Sequence, residues 1–180
     1  MKILYQIPGH MSAGPLGSAE LQRRQGLLQN WAARDTTVDV ADSPGGPQSI
    51  ESQLEGMLSI RPMVLALLRR AQPADAVIVG CFGDPGVHAL REVLDCPVIG
   101  PFEAAMHQGA QLGARLGVVT VLDSVVPMLD ELTRSMGMSI VARADCSSLR
   151  ARTCSSATTR IGVFSSWVVR SEASNRSPAA

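Results

Sequence analysis

The chain reads as an α/β protein with parallel sheets flanked by helices, and three observations carry that reading. Short apolar, strand-like runs recur at residues 2–7, 37–40, 76–80, 97–100, 117–121 and 138–142. Segments with apolar residues at helical spacing lie between them. The run AVIVG at 76–80 has no polar alternation, as expected of a strand buried on both faces. Strands that alternate with helices predict parallel βαβ units.

Element by element, residues 2–7 form a strand that Pro8 and Gly9 end in a turn. Residues 19–33 are rich in helix formers, with Leu21, Leu28 and Trp31 on one face. After the strand at 37–40, DSPGGP at 42–47 is a loop. Ser49 is placed to cap a helix that holds Leu54, Met57 and Leu58. Pro62 is expected to interrupt that helix and start a second piece through Arg70. A helix with Val87, Leu90 and Leu94 on one face follows the strand at 76–80. Residues 103–116 are helical, and Val125, Leu129, Leu132 and Met136 mark another helix. After Ala142 the pattern dissolves. Residues 159–170 have strand character, but nothing around them is patterned to cover a sheet.

Composition removes several classes. The 180 residues are 46% hydrophobic and 18% charged, enough apolar material for a real core. Sixteen basic and sixteen acidic side chains balance, so a nucleic-acid or anionic-lipid partner is not expected. No apolar run approaches the roughly 20 residues that span a bilayer. The opening MKILYQIPGH does not fit a secretory signal, and a cytoplasmic location is expected. The four cysteines (Cys81, Cys96, Cys146, Cys154) and three histidines show no metal-ligand spacing, so no metal is expected. DSPGGP lacks the lysine and helix start of a phosphate-binding loop.

Charge is uneven along the chain. Residues 1–146 carry a net of −4, with eleven basic and fifteen acidic groups. Residues 147–180 carry five Arg against Glu172 alone, a net of +4, with nine serines. This divides the chain into a first α/β half at 1–97, the start of a second at 98–146, and an atypical tail at 147–180.

The chemistry concentrates at Cys81. In open α/β sheets, ligands bind beyond the carboxyl ends of the strands, and Cys81 stands there, directly after AVIVG. Gly83 and Gly86 let the following backbone approach a ligand. Asp84 is placed to cap the next helix, with Pro85 at its first position. A helix N-terminus favours the thiolate of Cys81, whereas a nearby Asp84 opposes it. On these residues alone, the default is a small buried hydrophobe that happens to end a strand.

The stretches VIVGCFGDPGVHALRE, CPVIGPFEAAMH and LGVVTVLDSVVP resemble the aspartate/glutamate/hydantoin racemase superfamily, within it the hydantoin and allantoin racemase branch. The opening MKILYQIPG and residues 148–151 also look related, so the resemblance covers about residues 1–150. It implies two similar α/β halves with the active site between them. It implies an isomerase that needs no cofactor: one cysteine thiolate removes the α-proton and a second cysteine thiol protonates the opposite face. Cys81 matches the first of these. Phe82 and Gly83 match pocket-lining residues, Thr120 a substrate-contacting threonine, and Pro8 and Gly9 the loop after the first strand. The implied partner is a small-molecule substrate of amino-acid metabolism, and relatives are commonly homo-oligomers.

Departures matter as much. Many relatives carry Asn-Pro-Asn where this chain has Ile7-Pro8-Gly9. They also carry a second cysteine in a Gly-Cys-(small)-(small)-Met setting, absent here; Cys146 and Cys154 lack it. The expectation is that the chain leaves the family's reading frame near residue 151, so the second half is incomplete and activity is reduced or lost. A non-catalytic small-molecule-binding domain and an inactive truncated product are the alternatives. Among the remaining residues, a surface location is the default for His10 and His107, and a structural role for Cys96. Glu103 is either a helix-start carboxylate or part of the family pattern.

Overall fold

A computed structural model describes residues 1–15, 17–113, 115–120, 122–144, 158–164 and 167–172. The chain divides into two compact units, Met1–Pro101 and Phe102–Ala180. The first contains strands β1 (Lys2–Gln6), β2 (Thr37–Ala41), β3 (Ala76–Val79) and β4 (Val98–Ile99). Helices α1 (Gly17–Trp31), α2 (Gln53–Leu68) and α3 (Val87–Val93) connect them. All four strands are parallel, in the order β2-β1-β3-β4.

Alternation along the strands sorts the core onto two faces. Leu4, Val77, Val79 and Val98 pack with Met63 and Leu67 of α2 and with Val87 and Leu90 of α3. Tyr5, Ile7 and Val38 pack on the other face with Leu21 and Leu28 of α1. Helices on both faces are what an all-parallel sheet needs to leave water.

Several local expectations change. Trp31 is 66% exposed, and Ala32 takes its place beside Leu28. Ser52, rather than Ser49, caps α2: its Oγ accepts from the Glu55 N–H at 3.3 Å. Glu55 accepts in return from the Ser52 hydroxyl and the Glu51 N–H, so both side chains satisfy amides of the helix start. Leu54, Met57 and Leu58 are exposed, and the buried stripe of α2 is Gly56, Ser59, Met63 and Leu67. The apolar spacing was helical, but the smaller residues face the sheet. Pro62 does not divide α2. The carbonyl its missing N–H would have bonded belongs to exposed Leu58, where water can substitute, while Met63 and Leu67 anchor the next turn.

The second unit contains α4 (Pro101–Leu112, whose first residue belongs to the first unit), β5 (Arg115–Thr120), α5 (Val126–Ser135), β6 (Ile140–Ala144), β7 (Thr158–Phe164) and β8 (Trp167–Glu172). Its sheet runs β6-β5-β8-β7, with β5 and β6 parallel. The strand-like residues of the tail form an antiparallel β7–β8 pair, and β8 lies antiparallel to β5.

Candidate active site

In the first sheet the chain moves from β1 outward to β2, then crosses back to place β3 on the other side of β1. Strand order therefore reverses between β1 and β3. At such a switch point the connections leave on opposite sides and open a crevice beyond the carboxyl ends. Residues 7–10 follow β1 and residues 80–86 follow β3, so Pro8, Gly9, Cys81, Phe82 and Gly83 all belong to this edge. Thr120 ends β5 in the second unit, is buried, and its Oγ1 accepts from the Leu122 N–H at 3.4 Å.

The loop after β1 is locked to the loop after β2. The amide of His10 donates to the Pro47 carbonyl at 2.9 Å, and the Ser43 amide to the Gly9 carbonyl at 3.0 Å. A Cβ on Gly9 would stand 2.7 Å from the Pro47 oxygen, and one on Gly46 2.7 Å from the Pro8 oxygen. Gly9 is thus required by loop-on-loop packing. Below it, Gln6 is only 2% exposed although polar. Its Nε2 donates to the Asp42 carbonyl at 2.9 Å and to Ser43 Oγ at 3.0 Å, and that hydroxyl donates to the Ile7 carbonyl at 2.7 Å. Buried polar groups that answer one another in this way give the edge a rigid floor.

The loop after β3 is built differently. Gly80 donates to the Gln6 carbonyl at 2.6 Å, which carries the sheet one residue further. The Tyr5 ring lies over Gly80, its Cε1 2.5 Å from where a Cβ would stand. Cys81 then turns away, its carbonyl accepting from the Asp84 N–H at 3.1 Å. Asp84 has a left-handed backbone, φ 49°, and Gly86, φ 71°, takes the position that precedes α3. The expected Asp84 cap is not formed, because Gly86 holds that place and makes no side-chain cap bond. The Asp84 carboxylate packs instead against Gly100, at the end of β4, where any Cβ would collide with it.

Electrostatics follow from this packing. Burial pushes the Cys81 thiol up to about 11, a backbone hydrogen bond from Gly83 acts in the opposite direction, and the Asp84 charge raises it further. Tyr5 is raised by burial and restrained by the Arg24 charge, and Arg24 is itself held by Glu20 at 2.8 Å.

Elsewhere, His107 is exposed, and His10 Nδ1 accepts from the Gly45 amide at 3.4 Å. Cys96 packs against the core beneath α2 and α3. Glu103 lies in the first turn of α4. Cys146 and Cys154 lie outside the described residues. Among the described residues no group of three His, Cys, Asp or Glu is placed to hold a metal ion, and no helix is long and apolar enough to cross a membrane. Sequence reasoning missed Tyr5, Gln6, Ser43 and Gly100. A glutamine inside an apolar strand was the one local signal that one of them had a buried task.

A doubly wound α/β unit with a cysteine at its switch point defines a class of small-molecule site. The model of the Asp/Glu/Hydantoin racemase family matches residues 18–161, and the chain belongs to that family. A hydantoin racemase of Pseudomonas sp. (strain NS671) is 46% identical over 110 residues, 59% of this chain and 44% of that protein. A hydantoin racemase of Paenarthrobacter aurescens is 34% identical over 111 residues, 61% of this chain and 47% of that protein. The crystal structure of allantoin racemase from Pseudomonas fluorescens superposes with a TM-score of 0.69 at 26% identity, covering 79% of this chain and 60% of that one. The chain spans less than half the length of these two hydantoin racemases.

Proposed function

We propose that this chain supplies one half of a cofactor-independent racemase site, with Cys81 as an acid/base residue acting on the α-carbon of a hydantoin or a similar amino-acid derivative. The observation that carries the reading is the position of Cys81 at the β1/β3 switch point of a family member. A carbon next to a carbonyl loses its proton to give an enolate, and a sulfur on each face allows inversion. One thiolate takes the proton and an opposing thiol returns another. Phe82, Gly83, Pro8, Gly9 and Thr120 are the residues proposed to bind substrate. The locked loop after β1 supports binding through backbone groups, since asparagine side chains are not available at Ile7 and Gly9.

The test follows a single enantiomer of a 5-substituted hydantoin in heavy water, by loss of the α-proton signal in NMR and by optical rotation. Exchange that vanishes in Cys81→Ala supports the reading; exchange that survives it overturns the role of Cys81. A second reading, a binding domain without chemistry, is favoured by the enclosure of Cys81, which pushes its thiol up to about 11. It requires saturable hydantoin binding that persists in Cys81→Ser, with no exchange in either protein.

A further inference from the structure

An open sheet ends in two edges, and each edge is a row of backbone donors and acceptors that another chain can use. In the first sheet these edges are β2 and β4. Along β2, register fixes which groups face β1: the Thr37 amide donates to the Met1 carbonyl, and the Ala41 carbonyl accepts from the Ile7 amide. The Thr36 carbonyl and the Val38 amide, on either side of Thr37, therefore point outward, and so does the Val40 amide.

The first two of these groups are occupied. Gln29, near the end of α1, donates from Nε2 to the Thr36 carbonyl at 2.8 Å and accepts at Oε1 from the Val38 amide at 2.9 Å. In a parallel ladder, one residue of a neighbouring strand makes that same pair of bonds, one donated and one accepted. A carboxamide carries the donor and the acceptor of a peptide group, so it can stand in for a piece of a fifth strand. At the other edge, Val77 donates to the Pro97 carbonyl, which turns the Val98 carbonyl outward. Arg91, in the last turn of α3, donates to that carbonyl from Nε at 3.1 Å and from Nη2 at 2.9 Å. Both residues sit on the helix that directly precedes the edge strand, and each reaches a carbonyl seven residues further on. A tether between helix and strand needs one bond to any group. These side chains take the groups that strand pairing would use, at both edges.

We propose that Gln29 and Arg91 are edge guards: they place side-chain groups where the backbone of an added strand would stand, and so keep this sheet from pairing with a second copy of the chain. The β2 edge carries the greater hazard, with five residues against two in β4. Two β2 edges meeting about a two-fold axis would run antiparallel, a self-complementary contact that needs no other partner. The inference stands on the fold alone and does not use the racemase reading.

The experiment compares the full wild-type chain with Gln29→Leu, which keeps a similar bulk and removes both bonding groups. Sedimentation velocity over a concentration series is expected to show self-association at least about tenfold tighter in the variant. At the lowest concentration, NMR amide exchange at Val38 is expected to quicken on the order of tenfold, with Val40 as the reference. A folded variant that sediments as the wild type does at every concentration overturns the proposal. That holds even where Val38 exchanges faster, because Gln29 is then a tether and nothing more. Where Gln29→Leu does not fold, Arg91→Met puts the same question to the β4 edge: tighter association supports the proposal and an unchanged profile overturns it. Where neither variant folds, the wild-type chain decides: Val38 exchange slower than that of Val40 supports the guard, and equal rates overturn it. No readout involves hydantoin, so a failed racemase assay and a failed guard are told apart.

Discussion

Two loops meet at the switch point, and they solve opposite problems. The loop after β1 is bound to the loop after β2 through backbone hydrogen bonds and two glycines at backbone contact distance. Its buried polar groups, Gln6 and Ser43, answer one another. The loop after β3 is short, left-handed at Asp84 and Gly86, and carries the partly enclosed Cys81 thiol and an Asp84 carboxylate packed on Gly100. One loop is scaffold, where satisfied bonds confer rigidity. The other holds a thiol whose charged form burial disfavours.

That contrast can be broken from either side. The largest effect is expected on the β3 loop: Cys81→Ala should lower hydantoin exchange by at least about a hundredfold, the range of general acid/base catalysis, while leaving thermal stability nearly unchanged. A fall in Tm comparable to that of a core mutant would show Cys81 to be structural. On the β1 side the signs reverse. Gly46→Ala drives a methyl onto the Pro8 and Ser43 carbonyl oxygens and should cost about 2 kcal/mol, with Tm lower by about 6 °C. Unchanged melting there would mean the loops part easily. Ser43→Ala removes both the acceptor for Gln6 Nε2 and the donor to the Ile7 carbonyl, and should cost about 1–2 kcal/mol in denaturant titration.

The smallest effect lies behind Tyr5. Hydrogen bonds from Arg23 and Arg24 bring the Glu20 carboxyl down to about 2, against 4.5 for the free side chain. A depressed carboxyl stabilises the fold above the unfolded value, and that contribution is lost as pH falls from 4.5 toward 2. Arg23 is largely exposed, so solvent screening limits the gain to at most about 1 kcal/mol. Glu20→Gln should therefore flatten the acid limb of the stability curve slightly and leave its neutral plateau within that range. An acid limb identical to wild type would show that Glu20 keeps its ordinary affinity for protons when folded.

Much of the first unit was legible because its signals are local. AVIVG followed by CFGDPG announces a buried strand, a tight turn and a helix start within a dozen residues, and Cys81 falls at the strand end by position alone. The misreadings share one cause. Leu54, Met57 and Leu58 have helical spacing, yet periodicity does not say which face turns inward, and Gly56 and Ser59 face the core. Trp31 is the largest side chain of its helix and lies outside the cluster that Leu21 and Leu28 join. A proline in a helical run reads as a break, but the packing of Met63 and Leu67 carries α2 past Pro62.

Alternation of strand and helix, the parallel character of the first sheet and the place of Cys81 at a strand end are properties of short windows, set by side-chain spacing and turn residues. The β2-β1-β3-β4 order that makes that strand end a switch point depends on pairings across more than seventy residues, such as Ile3 with Ala76. The direction of the Asp84 carboxylate and the need for glycine at positions 9, 46 and 100 likewise arise from backbone segments distant in the chain. Such contacts exist only once the sheet has formed, because excluded volume and burial act between whatever the fold brings together.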